Sequence, residues 1–174
     1  MHWLAELMEL VSAFMRTGGP VLWAIAVVLF IMWSLILERF MYLSFTFPRY
    51  SRRVIAEWDA REDTTSWYAH RIREAWVSMA NEKANQNINS IKTLVALCPL
   101  VGLLGTVLGM INVFETMAMV GSSNPRLMAD GISMATVPTM AGMVAALSGL
   151  FISTQLESSA RVKMEHLKDH LPHH

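Results

Sequence analysis

Three stretches of this 174-residue chain contain no Asp, Glu, Lys, Arg or His and stay apolar over the thickness of a lipid bilayer. They read PVLWAIAVVLFIMWSLIL at 20–37, LVALCPLVGLLGTVLGMINVF at 94–114 and MATVPTMAGMVAALSGLFI at 134–152. About 20 consecutive apolar residues cross the hydrocarbon core. Within it every backbone N–H and C=O has to be bonded inside the segment, so each stretch is read as a helix. The rest of the composition agrees. Only 16% of residues are charged and mean hydropathy is +0.36, against roughly 25% charged in soluble domains. The expected fold class is an all-α membrane protein with three transmembrane helices.

The basic residues orient the spans. Nine lie between the first and second (Arg39, Arg49, Arg52, Arg53, Arg61, Arg71, Arg73, Lys83, Lys92) and three follow the third (Arg161, Lys163, Lys168). Only two, Arg16 and Arg126, lie on the other side. The positive-inside rule makes the richer side cytoplasmic. The expected layout is an amphipathic helix on the outer side over 1–17, spans over 18–40, 94–114 and 134–154, a cytoplasmic helical region over 41–93, an outer loop over 115–133 and a cytoplasmic tail over 155–174. Leu4, Leu7, Met8, Val11, Phe14 and Met15 recur at helical spacing, which suits a helix lying in the interface. The first 16 residues lack the long apolar core and small-residue site of a cleavable signal.

Between the first two spans, Asp63, Thr64, Thr65 and Ser66 offer N-caps for a helix through WYAHRIREAWVSMANEKANQNINSIK, residues 67–92. No proline or glycine interrupts it, so the second span is expected to continue as one long helix into the cytoplasm. This region, with Trp58, Trp67, Tyr68 and Trp76, is read as a helical hairpin without chemistry of its own. The chain has no internal repeat and no nucleotide-binding glycine loop, and neither a cofactor nor a nucleic-acid partner is expected. A single cysteine, Cys98, rules out an intrachain disulfide. His166 and His170 stand one helical turn apart near the end and are read as a solvated tail, with no metal site expected.

The second and third spans carry more than an anchor needs. Gly102, Gly105, Thr106, Gly109 and Asn112 fall on one face of the second span, and Ala135, Pro138, Thr139, Gly142, Ala146, Gly149 and Ser153 form a similar stripe on the third. Small faces let membrane helices approach closely, and hydroxyls bond across the contact. The glycines alone fit plain packing within a monomer or an oligomer. The threonines say more. The two spans run antiparallel, Thr106 lies eight residues from Phe114 and Thr139 five from Met134, or about 12 Å and 8 Å below the same surface at 1.5 Å per residue. Both hydroxyls therefore reach one level of the membrane. Pro138 removes a backbone donor and frees a carbonyl near Thr139, which suits a site that holds water.

PLVGLLGTVLGMINVF (99–114) and GISMATVPTMAGMVAALSGLF (131–151) resemble the second and third transmembrane helices of the ExbB/TolQ/MotA family, and are closest to its compact ExbB members. The resemblance implies an oligomeric ring, a pentamer, in the inner membrane of a Gram-negative bacterium. The ring encloses single-span ExbD-like subunits, each with one membrane aspartate, and passes proton-driven motion to a TonB-like protein that energises outer-membrane uptake of iron complexes and vitamin B12. It implies that Thr106 and Thr139 line the pore, with Gly102, Gly105, Gly109, Ala135, Pro138, Gly142 and Ala146 packing partner helices. Glu115 and Asp130 flank the outer loop as candidate pore-mouth acids. The family's third helix usually opens Gly-Ile-x-Glu-Ala; here Met134 stands in place of the glutamate, and Asp130 lies one turn earlier.

The residues constrain the mechanism independently. A proton relay in a membrane usually runs through Asp, Glu, Lys, Arg or His, and the three apolar stretches have none of these. If the complex conducts protons, a partner brings the acid and the threonines position water or the partner's carboxyl. A TolQ-like subunit of the Tol-Pal envelope system and a non-conducting membrane scaffold are the alternatives. Enzymatic chemistry is not expected, because the spans hold no nucleophile–base or metal-ligand set.

Overall fold

A computed structural model of the chain describes residues 6, 8, 9, 11–13, 19–61, 63, 66–121 and 125–171. From residue 19 on, the described residues form α1 (Gly19–Met41), a π-turn (Tyr42–Thr46), α2 (Phe47–Asp59), α3 (Trp67–Asn85), α4 (Ile88–Val120) and α5 (Pro125–Asp169). No strand occurs among the described residues. Three helical stretches are long and apolar enough to cross a membrane. Of the N-terminal amphipathic stretch, Leu4, Leu7, Phe14 and Met15 lie outside the described residues, while Met8 and Val11 are helical and exposed.

The chain forms two compact units, residues 1–32 with 93–150 and residues 33–92 with 151–174. The first holds the N-terminal part of α1, most of α4 and the first half of α5. Its buried side chains are small or slender: Leu22, Ile25, Met32, Val95, Cys98, Ala135 and Ala145. Leu103, Leu104, Val107, Leu108, Met140, Met143, Val144 and Leu147 are exposed on its surface, as lipid-facing residues are.

The second unit has a conventional core. Leu43, Phe47, Val54, Trp58, Ala69, Ala80, Ala84, Ile88, Ala160, Met164, Leu167 and Leu171 cluster there, and Trp76 meets the buried Trp58 edge to face at 6.2 Å. Ser66 starts α3: its hydroxyl accepts from the Ala69 N–H at 3.2 Å, and Asp63 accepts from the Ser66 N–H at 3.0 Å. Arg73 closes α5 at its far end. Its Nε donates to the Leu171 carbonyl at 2.6 Å and its guanidinium also reaches the Lys168 carbonyl at 3.4 Å, supplying donors and positive charge where a helix has free carbonyls. Arg73→Ala is expected to cost about 1 kcal/mol locally. Hydrogen exchange of the amides at 167–171 should then quicken roughly fivefold while α4 is unaffected.

The long continuous helix expected from the second span is broken. Asn87 takes φ 63 between α3 and α4, a left-handed conformation that asparagine tolerates better than other non-glycine residues. Its side-chain amide donates to Glu38 at 3.4 Å, which helps hold the turn. Helix also replaces expected loop and tail. α4 runs to Val120 and α5 begins at Pro125, inside the expected 115–133 loop, and α5 continues to Asp169, through the expected tail.

The π-turn follows from the sequence around it. Buried positions Arg39, Leu43, Phe47 and Ser51 are spaced by four three times in succession. In a regular helix that spacing would swing the buried stripe by about 120°. One turn closed by a longer hydrogen bond absorbs the extra residue, and the Phe47 N–H accordingly donates to the Tyr42 carbonyl. Arg39, 2% exposed, lies over the Tyr42 ring at 4.8 Å and donates to the Lys83 carbonyl near the end of α3.

Candidate functional site

The site lies where α4 and α5 touch in the first unit, and glycine creates the touch. A Cβ on Gly102 would come within 2.9 Å of the Pro138 carbonyl oxygen, one on Gly109 within 2.7 Å of the Ala135 Cβ, and one on Gly142 within 2.5 Å of the Cys98 carbonyl oxygen. Gly105 faces the Pro138 ring and Val21 of α1, and Gly149 faces Met32 of α1 and Val95. The small faces of α4 and α5 are thus filled by each other and by α1 of the same chain. Gly102, Gly105, Gly109, Ala135, Pro138 and Gly142, expected to pack partner helices, meet α1, α4 and α5 of the same chain. A bulky residue at Gly105 would first collide with Pro138 and Val21. Ala146 is half-buried on the same helix.

The close approach brings Thr106 and Thr139 together. Their hydroxyls hydrogen-bond each other, and the Thr139 hydroxyl donates to the Gly102 carbonyl at 3.1 Å. The Thr106 hydroxyl reaches the same carbonyl at 3.4 Å, one turn back along its own helix. Gly102 matters here because any side chain would push away the helix that carries Thr139. Sequence reasoning missed its carbonyl, since backbone acceptors leave no mark in a sequence. Both threonines are half-buried, so the cluster has one open side.

The proton inventory fixes what this cluster offers. Two hydroxyl hydrogens serve one carbonyl and one hydroxyl–hydroxyl bond. With both used internally, the oxygen lone pairs are left to accept from a newcomer; if one hydroxyl rotates, it donates outward instead. The pair can therefore hold a protonated acid, a carboxylate or a water.

Glu115 on α4 and Asp130 on α5 are exposed, as is Met134 one turn beyond Asp130. The His166 and His170 rings stack at 4.2 Å, with His170 Nδ1 at 2.9 Å from the His166 carbonyl. No group of three or more metal-ligating side chains gathers among the described residues.

Residues 33–169 match the family model described as the MotA/TolQ/ExbB proton channel family. The chain belongs to this family. The matched region takes in both threonines, every glycine of the α4–α5 contact and the π-turn. Among relatives of this MotA/TolQ/ExbB chain, the biopolymer transport protein exbB1 of Vibrio cholerae serotype O1 is 33% identical over 95 residues, 52% of this chain and 42% of the relative. A putative ExbB-like biopolymer transport protein of Synechocystis is 37% identical over 79 residues, 44% of this chain and 31% of the relative. One from Helicobacter pylori is 26% identical over 87 residues, covering 50% and 46%. The chain thus spans less than half the length of these curated relatives.

Proposed function

We propose that this chain is the ExbB-like, non-enzymatic subunit of a proton-driven motor in the bacterial inner membrane. A pentamer of it surrounds single-span ExbD-like subunits and drives a TonB-like protein that energises uptake of iron complexes or vitamin B12. The amino terminus is periplasmic and the carboxyl terminus cytoplasmic. The observation that carries this reading is the Thr106–Thr139–Gly102 cluster, set in apolar stretches that have no Asp, Glu, Lys, Arg or His. A polar cluster inside a membrane is costly unless it is used, and this one bonds a carboxyl group in either protonation state. The partner's acid carries the proton. The threonine pair accepts from it when protonated, donates to it when ionised, and so lets it dock and leave as it titrates. The exposed acids Glu115 and Asp130 raise the cation concentration at the outer mouth.

Mass spectrometry of the complex, gently extracted from its native membrane and crosslinked in the cell beforehand, tests this. Five copies with an aspartate-bearing single-span partner and a TonB-like companion are expected. A TolA-like companion would move the chain to the envelope-constriction branch. Absence of any acidic single-span partner after crosslinking would end the motor reading.

A further inference from the structure

The π-turn leaves one backbone carbonyl without a backbone donor, and a side chain from another helix answers it. In a regular helix the Leu43 carbonyl accepts from the N–H of residue 47. Here the Phe47 N–H goes to Tyr42 instead. The next candidate, residue 48, is Pro48, which has no N–H. Leu43 is 3% exposed, so water is a poor substitute. Lys163, on α5, donates its amine to the Leu43 carbonyl. Lys163 is half-buried, and that burial holds its amine below the ordinary lysine range.

Burying a lysine head among helices is costly unless it satisfies something. We infer that Lys163 is a positioning residue: it replaces the donor that Pro48 removes, and so pins the π-turn at Tyr42–Thr46. The position of that turn decides which faces are buried on its two sides. An extra residue in a helix can migrate from turn to turn, and each step rotates the residues it passes by about 100°. A pinned turn keeps Arg39 toward Lys83 and Phe47, Ser51, Val54 and Trp58 in the core. Within the second unit, Lys163 thereby sets the register between the end of α1 and α2. This goes beyond the proposed motor activity and holds whichever partner the chain serves.

A double-mutant cycle on the full chain in lipid nanodiscs tests the pairing. Lys163→Met should accelerate hydrogen exchange of the amides at 43–47 about tenfold, the loss expected for a charged hydrogen bond to a buried carbonyl. Pro48→Ala returns an N–H to residue 48. In that background Lys163→Met should cost less than about threefold. Lys163→Arg keeps a donor and should stay within about twofold of the parent. Equal acceleration in both backgrounds, or none in either, overturns the inference. If Lys163→Met alone does not accumulate, recovery of folded protein in Pro48→Ala/Lys163→Met supports it, and failure to recover overturns it.

Discussion

Thr139→Val is expected to leave the chain folded and inserted but to remove most of the proton-coupled activity proposed for it. Valine has nearly the volume of threonine, so the contact with Gly102 survives. What goes is the donor to the Gly102 carbonyl and the bond to Thr106. Hydrogen bonds between membrane helices average about 0.6 kcal/mol and rarely exceed about 1.7, so the chain should accumulate at close to normal levels. A hydrogen bond to a charged group is worth about 1.5–3 kcal/mol, so an ionised partner acid facing valine should lower turnover by at least about tenfold. The measurement is proton-dependent transport in cells that rely on this chain, with its membrane level read in parallel. Thr139→Ser, which keeps the hydroxyl, should retain most activity. Normal transport by Thr139→Val would remove the threonine pair from the pathway.

Gly142→Ala should be the most damaging one-methyl change in the first unit. The added Cβ would sit 2.5 Å from the Cys98 carbonyl oxygen, and Gly102 Cα is only 3.3 Å away. Both obstacles are backbone and no rotamer relieves them, so α4 and α5 have to separate. Overpacking of this kind costs about 1–3 kcal/mol. Separation also pulls Thr139, one turn earlier, from the Gly102 carbonyl, so stability and activity fall together. Gly149→Ala is the control. Its Cβ meets the sulfur of Met32 at 2.5 Å and Val95 Cγ2 at 2.7 Å, and methionine is the side chain best able to move aside. Thermal unfolding in detergent should show a clearly larger drop for Gly142→Ala than for Gly149→Ala. Equal drops would mean that the α4–α5 contact is looser than its geometry implies.

The contrast between these glycines marks what a sequence can convey. The spans were legible because length and the lack of charge are all that crossing a bilayer demands. The meeting of the threonines was legible too, because antiparallel spans convert residue counts into depths. The partner of each glycine was not: a small-residue stripe announces close approach without naming what approaches, and here the answer is the chain's own α5 and α1. The break at Asn87 lacked the usual proline or glycine mark, and only the asparagine-rich NQNIN hinted at a left-handed residue. The π-turn did leave a trace, in Pro48 and in the repeated spacing by four from Arg39 to Ser51. That trace becomes readable only once those positions are known to be buried.

Cys98 has a practical consequence. Its carbonyl faces Gly142 and its side chain has no exposed surface, so the chain's single thiol is sheltered from aqueous reagents. The native sequence is in effect already a cysteine-free background for labelling. A cysteine introduced at exposed Asp130 or Ser158 would be the one thiol that a membrane-impermeant maleimide could reach. Intact cells should label the first and spare the second if the charge asymmetry has been read correctly, and the opposite pattern would turn the whole chain over in its membrane.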